Sequence, residues 1–500
     1  MLFTEPTFLF LFLPVLLALY FATRSRWHGA YCNWLLLIAS ILFYAKGGRG
    51  FTWLMLGSIA FNYWMAIAIA RGKGAVPLFR DGGEAKKGYG PFSARTLLAF
   101  TIAVNLVVLG VFKYANFFAD NVNALFLVLH VNPVVVPRVL LPIGISFFTF
   151  HAISYVVDVY RGDATAQKSP VHAALYLLLF PQLIAGPIIR YRDIADQLAR
   201  RLVTVDDFAY GVRRFVIGLA KKVLIANVVA GPADQMFGLA PAELDPARAW
   251  LGVACYTLQI YFDFSGHSDM AIGLGRMFGF RFPENFRWPY IADTVQGFWR
   301  RWHMSLSTWF RDYLYVPLGG NRVPPARRYL NLVVVFFLCG LWHGASWTFV
   351  VWGLFHGTFL VLERLGLGDA IARVWKPVRH AYLLLVVMVG WVFFRADSLP
   401  GALAFLNAMA GARATAPSTY TIGWYLTPEL WIALVAGVIG SMPVVPALAA
   451  WRDRAAENGG AGGFAALSAP LNTAALMALL VASVMQIAAR TYNPFIYFRF

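Results

Sequence analysis

Asp, Glu, Lys and Arg supply only 13% of this 500-residue chain, against 59% hydrophobic residues and a mean hydropathy of +0.62. So little polar material cannot cover a water-soluble chain of this size, which excludes a soluble globular protein. Cysteine is nearly absent: Cys32, Cys255 and Cys339 stand far apart with no CxxC spacing. That excludes a disulfide framework and a thiolate metal site and leaves three small core residues. Around His343 and His356 no carboxylate stands at metal-ligand spacing, so a metal site is not expected. The chain also lacks a phosphate-binding glycine loop, a dinucleotide fingerprint, heptads and a stretch polar enough for a separate soluble domain. Only Glu5 precedes the first apolar run. Without the basic flank of a cleaved signal, that run is expected to be retained.

What is abundant is apolar sequence in windows near the ~20 residues that cross a bilayer. They fall at about 7–22, 33–45, 51–70, 97–118, 139–158, 172–189, 209–231, 248–265, 330–363, 381–395, 427–449 and 466–489. The expectation is an all-α polytopic membrane protein with roughly ten to twelve spanning helices, some windows being short enough to be re-entrant or interfacial. The chain reads as one integral membrane domain over 1–500, densest in motifs at 141–365, with C-terminal helices and a tail at 381–500.

The formal net charge of +18 would suit a nucleic-acid partner, but the basic residues lie in loops between apolar windows. That is the positive-inside pattern, and it makes nucleic acid an unneeded explanation. Arg24 and Arg26, then Arg71, Lys73, Arg80, Lys86 and Lys87, then Arg190, Arg192, Arg200 and Arg201 mark cytoplasmic loops. Arg364, Arg373, Lys376 and Arg379, and later Arg452 and Arg454, mark two more. The stretches 119–137 and 396–426 carry almost no charge and read as external, which places both chain ends outside.

Polar and aromatic residues concentrate in two places. One is "YFDFSGHSDMAIGLGRMFGFRFPENFRWPYIADTVQGFWRRWHMSLSTWFRDYLYVPLGGNR", residues 261–322. At ~100° per residue, Phe298, Trp302, Leu306, Trp309 and Tyr313 share one helical face and Arg300, His303, Ser307 and Arg311 the other. Taken alone, that pattern describes an interfacial amphipathic helix with its aromatic side in lipid. The other is "CGLWHGASWTFVVWGLFHG", residues 339–357. An ionisable side chain at membrane depth is costly and so a functional candidate, although an isolated histidine also serves as a hydrogen-bonder between helices. Gly340, Gly344 and Ala345 around His343 allow a close approach or a break, expected near Gly340 because 330–363 is too long for one straight span. On a continuous helix His356 would lie on the far side from His343, unable to join it in a local metal pair. Histidines in such a setting suit proton transfer to and from a hydroxyl or thiol, with a neighbouring Trp or Arg excluding water.

The stretches "FWRRWHMSLSTWFRDYLYVPLGGNR" (298–322) and "LWHGASWTFVVWG" (341–353) resemble the membrane-bound O-acyltransferase (MBOAT) family. They are most similar to its bacterial branch, which acts in alginate O-acetylation and teichoic-acid D-alanylation. "LPIGISFFTFHAISYVVDVYRG" (141–162), "FPQLIAGPIIRYRD" (180–193) and "YFDFSGHSDMAIGLG" (261–275) support the resemblance. It implies a bowl of helices around a central tunnel, with His343 of the "WHG" motif and His303 of "RRWHMSLSTW" as catalytic residues. Arg301, Trp302, Asp312, Asn321, Trp342 and Ser346 lie in the same motifs as candidates for substrate binding. Two departures fall at His267, where the branch would have Tyr, and at Ser346, where it would have Asn; both bear on the acceptor side.

The resemblance further implies a bacterial inner-membrane enzyme with no bound cofactor that takes an acetyl group from a cytoplasmic thioester, acetyl-CoA first among them. The acetyl group would go to an extracytoplasmic polysaccharide, with alginate the leading candidate. Expected partners are a periplasmic polysaccharide O-acetyltransferase, the polysaccharide synthase and secretion machinery, and membrane lipid. His343 would be the general base and His303 would hold or stabilise the thioester carbonyl. Tyr497, in the aromatic tail "TYNPFIYFRF" (491–500), is a candidate acyl relay, an interfacial aromatic anchor being the plainer reading. A transporter or flippase for a lipid-linked sugar or acyl carrier is the alternative, since it too needs broken helices and polar groups at midplane. A structural subunit of a secretion complex is a further alternative.

Overall fold

The structure, a computed structural model, describes residues 1–22, 28–72, 93–417, 420–457, 462–489 and 492–494. Arg24, Arg26, Lys73, Arg80, Lys86, Lys87 and Tyr497 lie outside the described residues. Every regular element among the described residues is a helix, as the composition requires of a chain that must satisfy its backbone polar groups inside hydrocarbon. The protein is an all-α polytopic membrane protein. Among the described residues seven helices are long and apolar enough to cross a membrane, or eight if Pro428–Gly440 and Val444–Trp451, bent by 58°, form one broken span. The remaining apolar windows form shorter or more polar helices. Window 172–189, for example, divides into Pro170–Leu178 and Phe180–Leu183: Leu179 turns to ψ 114, and Pro181 has no N–H with which to continue the first helix's ladder.

The described residues cluster into two compact units. The first comprises residues 1–212 and 271–283. Its helices Phe51–Gly72 and Ala94–Val128 are joined by a buried amide pair, in which Asn62 and Asn105 donate to one another at 3.1 and 2.8 Å. Such a pair satisfies two polar groups that neither helix alone could shelter. Ser93 caps the second of these helices by accepting from Thr96 N. At 35 residues that helix is roughly 52 Å long, well beyond a hydrocarbon core of about 30 Å. Gly144, with φ +74, starts helix Ile145–Arg161; a Cβ there would meet the carbonyl oxygen of Leu183 at 2.8 Å.

The second unit comprises residues 213–270 and 284–500. Helices Pro325–His343 and Trp347–Leu362 form a tight hairpin. The break lies at Gly344–Ser346, and Ser346 caps the second helix, so the expected break near Gly340 is displaced by one turn. Gly340 has a different task. A Cβ on Gly340 would meet Phe349 O at 2.3 Å, and one on Gly353 would meet Phe336 O at 2.3 Å, so these two glycines are the crossing point of the hairpin. Because the helix is interrupted, His356 does not lie remote from His343. Both rings pack edge-on against Trp352, at 5.3 and 5.1 Å.

Residues 298–313 do not form the continuous amphipathic helix that their periodicity suggests. Helix Val295–Trp299 ends, His303 takes the left-handed conformation at φ 42, and Met304–Phe310 starts afresh. The aromatic face is buried against protein instead of lipid: Trp302 packs on Phe298 (5.5 Å), Phe286 (5.1 Å) and Trp391 (4.9 Å). Periodicity reports which residues are buried, but it cannot say whether lipid or another helix covers them.

The start of the tail is anchored in the same unit. Tyr492 donates to Asp234, Asn227 Nδ2 donates to Asn493 Oδ1 at 3.0 Å, and Lys222 donates to the carbonyl of Pro494.

Candidate active site

His303 is held by Asn285, eighteen residues earlier. The Asn285 amide orientation follows from its neighbours. Its oxygen accepts from Ser305 N at 3.2 Å and Ser305 Oγ at 2.9 Å, and its Nδ2 donates to Ser268 Oγ at 2.9 Å. A backbone N–H can only donate, so the atom facing His303 Nδ1 at 3.0 Å is an acceptor and Nδ1 must carry a proton. A neutral ring therefore has its lone pair on Nε2, which is buried and has no protein hydrogen-bond partner among the described residues. Met304 N also donates to the Asn285 carbonyl at 2.9 Å, pinning the backbone on both sides of the strained residue.

His343 ends its helix beside Gly344, where a Cβ would come within 2.2 Å of the Phe349 ring. The imidazole is walled edge-on by Trp342 (5.0 Å), Trp352 (5.1 Å) and Phe394 (5.1 Å). His303 sits edge-on to Phe264 at 4.5 Å and lies 6.3 Å from the Trp342 ring. Trp342 thus stands beside both histidines. Electrostatic interactions among buried, ring-packed groups of this kind are stronger than they would be in solvent.

The other candidates are dispersed. Ser346 Oγ accepts from Thr348 N at 3.3 Å and shares a hydrogen bond with Thr348 Oγ1. It lines a cavity of about 510 Å³ together with Asp234, Phe349, Phe394 and Arg395, one aromatic layer from His343. Trp302 belongs to the aromatic core described above. Arg301 donates to the carbonyl of Arg287 at 3.3 Å, Asp312 pairs with Arg311 at 2.7 Å, and Asn321 accepts from Tyr315 at 2.7 Å in the turn that follows. These last three have local structural partners, and none is among the rings packed around His343.

Sequence reasoning missed Asn285, Phe264, Trp352 and Phe394. An asparagine inside "FPENF", just ahead of the His303 motif, was the one available signal. It also missed the buried ion pair of Lys222 with Asp263, at 2.9 Å and with side chains 3% and 0% exposed. Asp269, nearby in sequence, binds Lys221 and Arg214, both at 2.7 Å. Such pairs hold helices in register and leave no carboxylate idle. Among the described residues no group of three or more His, Cys, Asp or Glu could hold a metal ion.

The second unit thus brings two buried imidazoles to either side of one tryptophan, one of them fixed as a donor at Nδ1. The family model for MBOAT, the membrane-bound O-acyltransferase family, matches residues 145–391, a span that contains both histidines and Asn285. A probable alginate O-acetylase AlgI of Azotobacter vinelandii is 43% identical over 522 residues, covering 100% of both chains. A peptidoglycan O-acetyltransferase of Helicobacter pylori is 36% identical over 448 residues, 82% of this chain and 80% of its own. A teichoic acid D-alanyltransferase of Bacillus subtilis is 30% identical over 268 residues, 50% of this chain and 66% of its own. The chain belongs to the membrane-bound O-acyltransferase family, and it is an O-acyltransferase.

Proposed function

We propose that this protein carries acetyl groups from a cytoplasmic thioester, acetyl-CoA first among the candidates, to an extracytoplasmic polysaccharide across a bacterial inner membrane. Alginate is the leading acceptor, supported by the similarity to the alginate O-acetylase of Azotobacter vinelandii. A periplasmic O-acetyltransferase would complete delivery, alongside the polysaccharide synthase and secretion machinery. Basic loop residues would meet the donor's phosphates on the cytoplasmic side.

The observation that carries this reading is the meeting of His303 and His343 around Trp342. His343 removes the proton from an acceptor hydroxyl as its oxygen attacks the thioester carbonyl carbon. The resulting oxyanion needs a donor. His303 can serve only when it is protonated at Nε2 as well as Nδ1, and Asn285 suits that form because Nδ1 donates in either state. Collapse breaks the C–S bond, His343 returns its proton to the thiolate, and ester and free thiol leave.

The test is polymer acetylation by cells carrying His343→Ala or His303→Ala at matched membrane levels. His343→Ala should abolish acetylation, and His303→Ala should leave a trace, because water can partly replace an oxyanion donor. Full acetylation by the His343→Ala protein would remove that residue from the mechanism and would favour a transport role.

A further inference from the structure

In the first unit a cavity of about 980 Å³ is lined by Tyr20, Cys32, Arg200, Arg201, Gly279 and Arg281 among others. Arg201 is tightly held there by neutral groups. Its Nε donates to Phe278 O at 3.0 Å and to Tyr20 Oη at 3.3 Å, its Nη1 donates to Asn33 Oδ1 at 2.6 Å, and the guanidinium lies 4.3 Å over the Phe280 ring. Nη2 is buried with no hydrogen-bond partner among the described residues. None of these partners carries a negative charge, and a sheltered cation without a counter-ion is unfavourable.

The carboxylate that lines the cavity, Asp207, is already engaged. It pairs with Arg276 at 2.5 Å and accepts from Thr204. It reaches Arg281 only at 3.7 Å, and the Arg281 side chain is 70% exposed. Arg200 is exposed as well. Three guanidiniums therefore line a cavity whose carboxylate is already paired.

Exposed apolar side chains adjoin the cavity, in its lining and on the neighbouring membrane-spanning helix. Leu202 and Val205, beside the two arginines, are 87% and 85% exposed. Tyr31, one residue before the lining Cys32, begins an exposed stripe of Tyr31, Trp34, Ile38 and Leu42 along helix His28–Gly48. Their spacing of three and four residues places them on one helical face.

We propose that this cavity binds the phosphate headgroup of an anionic phospholipid, with an acyl chain lying along the Trp34–Ile38–Leu42 stripe. Arg201 is the fixed phosphate ligand, and Arg200 and Arg281 are the adaptable ones. The proposal uses neither His303 nor His343 and does not depend on their assignment. It would tie the loop at 199–204 to the anionic leaflet, where basic residues are drawn to the lipid surface.

The experiment measures lipid binding to the purified full-length protein in neutral detergent by native mass spectrometry. The probes are dioleoyl phosphatidylglycerol and dioleoyl phosphatidylcholine, with free coenzyme A as a competitor. The parent should prefer phosphatidylglycerol by about tenfold, since both lipids carry the phosphate but the choline cation of phosphatidylcholine offsets its charge and is repelled by the guanidiniums. Arg201→Gln should lose that preference. The double variant Arg200→Gln, Arg281→Gln changes exposed side chains and should fold, so it carries the test if Arg201→Gln does not; it should lose most of the preference. Equal binding of the two lipids by the parent, or a full preference kept in the double variant, overturns the proposal. So does displacement of phosphatidylglycerol by coenzyme A at micromolar concentration, which would assign the cavity to a soluble nucleotide's phosphates.

Discussion

Asn285→Ala is the sharpest perturbation of the site, because it touches neither histidine's covalent structure. The side-chain oxygen of Asn285 satisfies three donors in one buried place: His303 Nδ1, Ser305 N and Ser305 Oγ. Removing it strands each of them, at a cost on the order of 1–3 kcal/mol for each that finds no water. The chemistry should suffer in a distinguishable way. Without Asn285 the imidazole can turn about its ring bond and exchange tautomers, so Nε2 is no longer held for the carbonyl. A misplacement of about 1 Å costs roughly a hundredfold in rate, equivalent to about 2.7 kcal/mol of barrier. The assay is acetyl transfer from radiolabelled acetyl-CoA by purified protein with its partner and polymer, read as kcat and donor KM. The expected result is a kcat lower by about a hundredfold with donor KM changed less than about threefold. Asn285→Asp keeps an oxygen facing His303 and should recover a substantial part of the rate. If folded Asn285→Ala turns over at the parental rate, Asn285 does not position His303 and the tautomer argument fails.

Three further outcomes are expected. Gly340→Ala would drive a methyl group into Phe349 O at the hairpin crossing, so it should lower thermal stability by about 1–3 kcal/mol or block accumulation; unchanged melting would show that the helices part freely. Tyr497→Phe keeps the aromatic body of the tail, which starts from anchors at Asp234, Asn227 and Lys222, and deletes a hydroxyl. A relay role predicts lost polymer acetylation and an anchor role predicts parental acetylation, both measurable by acetate release from the polymer. Cysteines placed near Lys86 and Arg192 should react with membrane-impermeant reagents only from the cytoplasmic side, and labelling in intact cells would reverse the proposed donor route.

The sequence alone determined the environment and singled out the two histidine segments. Thirteen per cent charge and recurring apolar windows leave no soluble option, and a chain inside lipid must close its own backbone hydrogen bonds, so helices follow. The two histidine motifs were legible because their residues are contiguous in the chain. The break in 330–363 was foreseen from length, although its position was not. Gly340 proved to be a contact between helices, and Gly344 with Ser346 supplied the actual stop. Other features belong to the tertiary structure. Whether the aromatic face of 298–313 meets lipid or protein depends on what packs against it, and Trp391 and Phe286 do. The left-handed turn at His303 is stabilised by Asn285 from another segment. The wall of the His343 pocket includes Phe394, fifty-one residues away in sequence, delivered by helix Lys376–Arg395. Periodicity and motif are properties of neighbouring residues, and they decide which segments are buried and which carry titratable groups. Which nitrogen carries the proton, and which rings shut out water, is decided by contacts between segments that no local pattern encodes.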